Sequence, residues 1–301
     1  MKIVKEIRKN FLLYLMLVPV MLYFYLFHYR PMYGVQIAFR DFNVFKGISE
    51  SEWVGLMYFK QFFNSYYFTR LLKNTIVLSV YNLIFSFVAP IMLALQLNAV
   101  RNKYVRSTLQ TFSYLPHFIS LVVVCGMILV FLEPTGIVNR LLLALGIIDK
   151  PIPFMMQPEW YRTVYIASSV WQSVGWNSII YLAALAGIDP QLYEAAVMDG
   201  AGRWKQLIHI TLPSLLPTII VLFILNVGRL FSMGAEKTIL LYNPVLYETA
   251  DIISSFVYRR GILQADYSFS AAVGLFNSVI NFILLLTFNR LSKRFTETSL
   301  W

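Results

Sequence analysis

Charged residues are scarce in this sequence. They make up 13% of its 301 residues, while hydrophobic residues make up 58%. A soluble domain usually carries about a quarter charged residues, so the composition excludes an ordinary soluble protein. The apolar residues fall in blocks of about twenty, the length that an α-helix needs to cross a bilayer. The composition therefore predicts an all-α integral membrane protein, with a single transmembrane domain over residues 1–301.

Residues with a chemical function are equally scarce. The single cysteine, Cys125, lies in an apolar run, which excludes an internal disulfide framework and a cysteine metal cluster. The three histidines, His28, His117 and His209, are too far apart to share a metal ion. The sequence contains no GxSxG, HExxH or GxxxxGK[ST] motif. An enzyme therefore has almost no support, and neither a metal nor a nucleotide site is expected on this chain.

The positive charge has two possible explanations. A net charge of +10 would suit a nucleic-acid partner, but the basic residues lie beside apolar segments rather than along one helix face. The positive-inside rule of membrane proteins explains this distribution better. We therefore expect membrane lipid, and no nucleic acid, as a partner.

The apolar blocks predict six transmembrane helices. Their approximate bounds are 11–29, 74–98, 111–132, 163–186, 214–234 and 270–288. Six spans place both termini on one side, and the denser basic residues of the segments on that side predict that it is the cytoplasm. The segments 30–73, 133–162 and 235–269, rich in aromatic residues or proline, are then external.

A polar stretch at residues 189–213 separates the fourth and fifth predicted spans. Asp189 followed by Pro190 is a strong helix start, and Gly200 is a typical residue at a helix end. A second short helix should follow, until Pro213 breaks it. The pattern predicts a helix–bend–helix elbow at the membrane surface. It is either an amphipathic helix resting on the headgroups or a docking site for a soluble partner.

The residue string EAAVMDGAGRWKQLIHITLP decides between these interpretations. It resembles the EAA motif of permease subunits of binding-protein-dependent ABC importers, with Glu194, Asp199, Gly200 and Pro213 at the spacing of that family. There this loop is the coupling helix, which fits a cleft in the cytoplasmic ATPase. The resemblance implies an ATPase-contact set of Glu194, Ala195, Ala196, Met198, Asp199, Gly200, Ala201, Arg203, Leu212 and Pro213.

Two further strings, YRPMYGVQIAFRDFNVFKGI and WVGLMYFKQFF, resemble the opening of carbohydrate-type importer permeases, especially the LplB-like polysaccharide branch. The resemblance implies a type I, MetI-like fold in the bacterial cytoplasmic membrane and an oligosaccharide substrate moved by alternating access. It also implies a second, non-identical permease subunit, an extracellular solute-binding protein and two cytoplasmic ABC ATPase subunits. ATP and Mg²⁺ would be bound by those ATPases, and this chain would bind no cofactor.

Polar residues inside the predicted spans are the candidates for a substrate path. They are Gln172, Trp176, Asn177 and Tyr181 in the fourth span, Asn226 and Arg229 in the fifth, and Asn277 and Asn281 in the sixth. A polar group in hydrocarbon needs a hydrogen-bond partner, so each faces another helix or a watery path. Trp176, Asn177 and Tyr181 together resemble a sugar site, with an aromatic face beside an amide.

Two alternatives stay open at this point. One is an importer permease for peptides or other solutes, which a panel of sugars in a binding assay would distinguish. The other is a membrane enzyme or assembly factor for surface polysaccharide. A clustered pair of acids or histidines would favour that alternative, and the sequence offers none.

Overall fold

The computed structural model describes residues 9–228, 230 and 234–296, and this part of the chain is almost entirely helical. It divides into two compact units. Of the described residues, the first unit contains those up to Ser65 together with Arg259–Leu275, and the second contains those of Tyr66–Tyr258 together with those from Phe276 onwards.

The first unit opens with a long helical run. Helix α1 (Phe11–Phe24) continues into a π-helical turn, Tyr25–Tyr29, and a 3₁₀ segment, Arg30–Phe39. No side chain of α1 is buried. The first predicted span, 11–29, is thus helical and offers an apolar surface on every side, as a helix surrounded by lipid or by other subunits would.

A small hairpin follows, and it is the exception to the all-α prediction. Strand β1 (Arg40–Asp41) pairs with β2 (Glu52–Trp53) in antiparallel register, with Arg40 opposite Trp53. Helix α2 (Gly47–Glu50) lies between the strands, and α3 (Met57–Phe63) follows them. Each strand has two residues, so the pair stabilises a turn and adds no sheet to the core.

The second unit contains most of the helices. In chain order they are α4 (Tyr67–Ala99), α5 (Lys103–Tyr114), α6 (Leu121–Phe131), α7 (Ile137–Ala144), α8 (Pro158–Ala186), α9 (Pro190–Met198), α10 (Arg203–Gln206), α11 (Leu212–Val227), α12 (Ala235–Leu241), α13 (Tyr247–Ala250) and α14 (Ile253–Tyr258). Short 3₁₀ turns occur at Leu115–Phe118, Phe154–Met156 and Pro244–Leu246, and a π turn at Leu207–Thr211. A further π turn, Arg259–Leu263, belongs to the first unit. The last helix is α15 (Tyr267–Thr296).

The core of the second unit lies along α4 and α8, which pack against each other over much of their length. One buried cluster gathers residues from α4, α6, α8, α12 and α13, namely Leu78, Cys125, Met155, Tyr161, Tyr165, Ile166, Leu241, Leu246 and Ala250, with Ile252. A second cluster joins α4, α8 and α11 through Ala94, Leu97, Tyr181, Leu182, Leu185 and Leu215. Helix α8 contributes to both clusters and is the central element of this unit.

The third predicted span, 111–132, contains a sharp bend. The segments Lys103–Phe118 and Leu121–Phe131 meet at an angle of 97°. Pro116 lacks a backbone N–H and lies in the 3₁₀ turn at the bend. Ser120 then starts α6 by accepting a hydrogen bond from the backbone N–H of Val123 at 3.4 Å.

The structure has no helix break at Pro213, so the expectation of a break there is wrong. The residues Arg203–Val227 form one helical run of 25 residues, which joins the second arm of the elbow to the fifth span. The ring of a proline needs room near the carbonyl four residues earlier. The π turn Leu207–Thr211 widens the backbone at that carbonyl, and the helix continues. Helix α11 then ends at Val227, before the predicted end of the span at residue 234.

Four helical runs of the described residues are long and apolar enough to cross a membrane: Phe11–Phe39, Tyr67–Ala99, Arg203–Val227 and Tyr267–Leu291. The bent pair α5–α6 makes a fifth if it is one span. Helix α8 has 29 residues, but its polar side chains lower its hydropathy, and it is not among them. A count of six spans therefore stays a prediction.

Candidate functional site

The elbow begins with a helix whose two ends are fixed locally. The Asp189 carboxylate accepts a hydrogen bond from the backbone N–H of Gln191 at 2.9 Å, and Pro190 occupies the first position of α9. At the other end Gly200 has φ +74°, and the N–H of Ala201 reaches the Ala196 carbonyl at 2.8 Å. These are the start and the end that the sequence predicts, because both depend on neighbouring residues alone.

One side-chain contact joins the two arms of the elbow, and a second joins the second arm to the bend. The hydroxyls of Tyr193, on α9, and Thr211, on the second arm, lie 2.9 Å apart. The Gln206 amide donates to the Ala201 carbonyl at 2.8 Å. Thr211 is buried, so its bond to Tyr193 is shielded from water. The two arms therefore meet at a fixed angle and can move as one body.

The tip of the elbow exposes large apolar side chains beside charged ones. Met198 is 87% exposed and Trp204 is 77% exposed. An exposed apolar patch with a polar rim is typical of a protein-interaction surface. Of the predicted contact set, Glu194, Ala195, Met198, Asp199, Gly200, Arg203 and Pro213 are exposed, and Ala196, Ala201 and Leu212 are half-buried.

The polar face of α8 lies against the bend between α5 and α6. The Gln172 amide donates to the Ile119 carbonyl at 3.0 Å. A Cβ at Gly175 would overlap the Ser113 carbonyl, so the two backbones are in direct contact there. The Trp176 ring stacks on His117, with centroids 4.6 Å apart and planes 3° apart. Trp176 keeps 42% of its surface exposed, so it is a fixed aromatic platform with one open side.

Trp176, Asn177 and Tyr181, predicted to group as one sugar site, do not share one face of α8. Tyr181 is buried in the α4–α8–α11 cluster, whereas Trp176 and Asn177 are exposed. Residues 176 and 181 are five positions apart, which places them roughly 140° apart around a helix of 3.6 residues per turn. Tyr181 therefore faces the core, and Trp176 faces outward.

The other predicted path residues are spread over two helices. The Asn226 amide donates to the Leu222 carbonyl at 2.7 Å, Asn277 is half-buried and Asn281 is buried. Arg229 lies outside the described residues. Asn226 also lines a cavity of about 190 Å³ whose other polar side chains, Ser79, Asn82 and Ser86, come from α4.

Sequence reasoning missed these three α4 residues and His117. A run of three polar residues at one-turn spacing in α4 was a signal that could have revealed a polar face. Nothing in the sequence pairs His117 with Trp176, since they are 59 positions apart. Among the described residues, no group of three His, Cys, Asp or Glu side chains is arranged to hold a metal ion.

Several helices long and apolar enough to cross a bilayer, with a short polar helix before one of them, define a multi-pass membrane protein. A family model described as "Binding-protein-dependent transport system inner membrane component" matches residues 86–297, and the chain belongs to this family. It is accordingly a permease subunit of a transporter and not an enzyme.

Similar proteins span nearly the whole chain. Protein LplB of Bacillus subtilis (strain 168) is 45% identical over 96% of this chain and 91% of its own length. The polygalacturonan/rhamnogalacturonan transport system permease protein YteP of the same organism is 44% identical over 99% of this chain and 92% of its own.

A solved structure agrees with this assignment. A chain in the crystal structure of a bacterial ABC transporter involved in the import of the acidic polysaccharide alginate superimposes with a TM-score of 0.92. It is 43% identical and covers 98% of this chain and 100% of its own. A second structure shows the alginate transporter in complex with an alginate pentasaccharide-bound periplasmic protein. The helical, MetI-like fold expected from the EAA motif is confirmed.

Proposed function

We propose that this chain is a transmembrane subunit of an ATP-driven importer for oligosaccharides or polysaccharide fragments that an extracellular solute-binding protein delivers. The observation that carries this proposal is the end-to-end similarity to a polygalacturonan/rhamnogalacturonan permease and to an alginate importer chain. Both of those proteins handle polymers of acidic sugars, which makes an acidic oligosaccharide the first substrate to test.

The proposed topology has six spans and two cytoplasmic termini. Helix α8, with 29 residues, is about 43 Å long at 1.5 Å per residue, more than the hydrocarbon core requires. Counting α8 and the bent pair α5–α6 as one span each brings the number to six. The single transmembrane domain then covers residues 1–301, and the elbow lies on the cytoplasmic side.

The elbow is the proposed contact with the cytoplasmic ATPase. Its exposed Met198 and Trp204 supply the apolar centre of an interface, and Glu194 and Arg203 supply charges at the rim. Two such ATPase subunits, which bind ATP and Mg²⁺, and a second, non-identical permease complete the proposed complex. The Tyr193–Thr211 bond supports a mechanical role, because it lets α8 and α11 follow the elbow as a rigid body in alternating access.

A cross-link at the tip of the elbow tests this contact. We expect that Met198→Cys in a Cys125→Ser background, treated in native membranes with a short thiol-to-amine reagent, captures the soluble ATPase. Phe45→Cys is the matched control, because Phe45 is 99% exposed but lies on the proposed external side. Two outcomes would contradict the proposed ATPase contact at the elbow. One is capture of the ATPase from both positions, and the other is capture of lipid alone from Met198→Cys.

The exposed face of Trp176 is the proposed sugar platform within this chain. We expect Trp176→Ala to lower oligosaccharide uptake by about tenfold, since the stacking of an aromatic ring on a ligand is worth about 1 to 1.5 kcal/mol. Trp171→Ala is the control, because Trp171 is similarly exposed on the same helix but has a different angular position. The uptake of radiolabelled sugar into vesicles measures the effect. Equal losses in both variants would argue against a sugar platform at Trp176.

A further inference from the structure

Lys237 is a lysine buried between helices. It lies in α12 with 5% of its surface exposed. Its ammonium donates to the Tyr165 carbonyl at 3.0 Å and to the Ser169 hydroxyl at 2.6 Å, and it lies 4.8 Å from the centre of the Tyr165 ring. Tyr165 and Ser169 both belong to α8, so one side chain of α12 makes three polar contacts with the central helix of the unit.

The ammonium of Lys237 has neutral hydrogen-bond partners, a backbone carbonyl and a hydroxyl. Among the described residues, no carboxylate lies within ion-pair distance of Lys237. The titratable groups near it are Cys125 from α6 and Tyr165 from α8, with Glu236 next to it on its own helix. Burial accordingly lowers the pKa of Lys237 from 10.5 to about 8.

Stability does not explain a lysine in this place. A buried charge with neutral partners costs free energy, whereas an apolar side chain of similar length would fill the same space without that cost. The two charge-assisted hydrogen bonds and the cation–π contact with α8 offset part of this cost. Because hydrogen bonds are directional, they also fix the position of α12 against α8. The lysine therefore serves position rather than packing.

The contact of Lys237 with α8 lies at the end of α8 that is far from the elbow. Helix α8 ends at Ala186, three positions before the cap Asp189, and the second arm runs from Arg203 to Val227, shortly before α12. At the elbow end, the Tyr193–Thr211 bond joins the two arms. At the far end, Lys237 joins α8 to the segment that follows the second arm. The elbow thus has a hydrogen bond between its arms at one end of α8, and α8 is tied to α12 at the other end.

We propose that Lys237 is a positioning residue that locks α12 to α8, so that α12 follows α8 when a displacement of the elbow moves α8 during transport. This inference rests on the proposed function. It also reaches the proposed sugar path, because Ser169, Gln172 and Trp176 follow one another at helical spacing on one face of α8. Rotation of α8 at Ser169 would turn Trp176 away from its place.

The test compares variants in the complete importer, reconstituted in vesicles with its ATPases and binding protein. The quantity measured is the ratio of sugar imported to ATP hydrolysed. We expect Lys237→Met to lower this ratio at least tenfold while binding-protein-stimulated hydrolysis stays within about twofold of wild type. Lys237→Arg should recover most of the ratio, because a guanidinium can donate to the same two acceptors. Lys150→Met, at an exposed lysine, is the matched control.

Ser169→Ala covers the case in which Lys237→Met does not assemble, because it removes one acceptor and leaves the lysine in place. We expect a loss of the ratio by about threefold to tenfold in this variant. A wild-type ratio in Ser169→Ala or in an assembled Lys237→Met would overturn the role of Lys237. Failure of the wild-type complex to import any sugar would instead count against the proposed function, so the two failures are distinguishable.

Discussion

Glu194→Lys will leave the protein in the membrane but lower ATP-driven uptake by more than tenfold. Glu194 is exposed on α9 and forms the charged rim of the elbow. The EAA motif predicts that it faces a basic group of the ATPase, so reversing its charge replaces an attraction by a like-charge contact. Such contacts cost several kcal/mol in a protein interface. Uptake in vesicles and co-purification of the ATPase measure the loss.

Two variants control for this charge reversal. Glu50→Lys makes the same change at an exposed glutamate on α2, far along the chain from the elbow, and should keep normal uptake. Glu194→Gln removes the carboxylate without adding a positive charge, and its loss should be the smaller one. Normal ATP-driven uptake by Glu194→Lys would exclude a role for this carboxylate in coupling.

The first helix of the elbow could be predicted from the sequence because its signals are local. The cap at Asp189, the proline after it and the turn at Gly200 each act within a few residues of the chain. Local hydrogen bonds and φ preferences are the same in any fold, so they can be read without knowing what packs nearby. The first helix of the elbow therefore has the start and the end that the sequence predicts, whereas its coupling role stays a prediction from the family resemblance.

Other features depend on contacts between distant residues. The hydropathy of residues 111–132 shows that they are apolar but gives no information on the direction of the helix axis. It therefore does not predict the 97° bend at Pro116. The π turn that carries the helix past Pro213 is a tertiary adjustment that propensity does not predict. Tyr181 and Trp176 look alike in sequence, and only the packing of α4 and α11 decides which one is buried.

The burial of Lys237 also depends on distant contacts and could not be predicted from the sequence. In the sequence it is one lysine in a segment expected to lie outside the membrane, where a lysine is normally solvated. Its burial follows from the contacts of α12 with α6 and α8, which come from residues more than sixty positions earlier. A charge count along the chain cannot separate a solvated lysine from a buried one, although the two have opposite effects on stability.

Gly200→Val will impair assembly with the ATPase. Gly200 has φ +74°, a left-handed conformation that costs an L-residue about 1–2 kcal/mol and a β-branched one more. Nothing lies within 4 Å of the position that a Cβ would take, so the expected effect comes from the backbone and not from a collision. The valine variant relieves its strain by changing the turn between the arms, and the docking surface then loses its shape. Recovery of ATPase with the purified variant measures this.

Gly202 provides the matched control for this prediction. It also has open space around it, but its φ of −68° suits any residue, so Gly202→Val adds the same side chain without backbone strain. Gly200→Asn is a second control, because it adds a side chain at the same position and asparagine tolerates the left-handed region. We expect both to recover the ATPase. Equal losses in Gly200→Val and Gly202→Val would assign the effect to bulk at the surface, and the elbow would then depend on close approach rather than on a fixed bend.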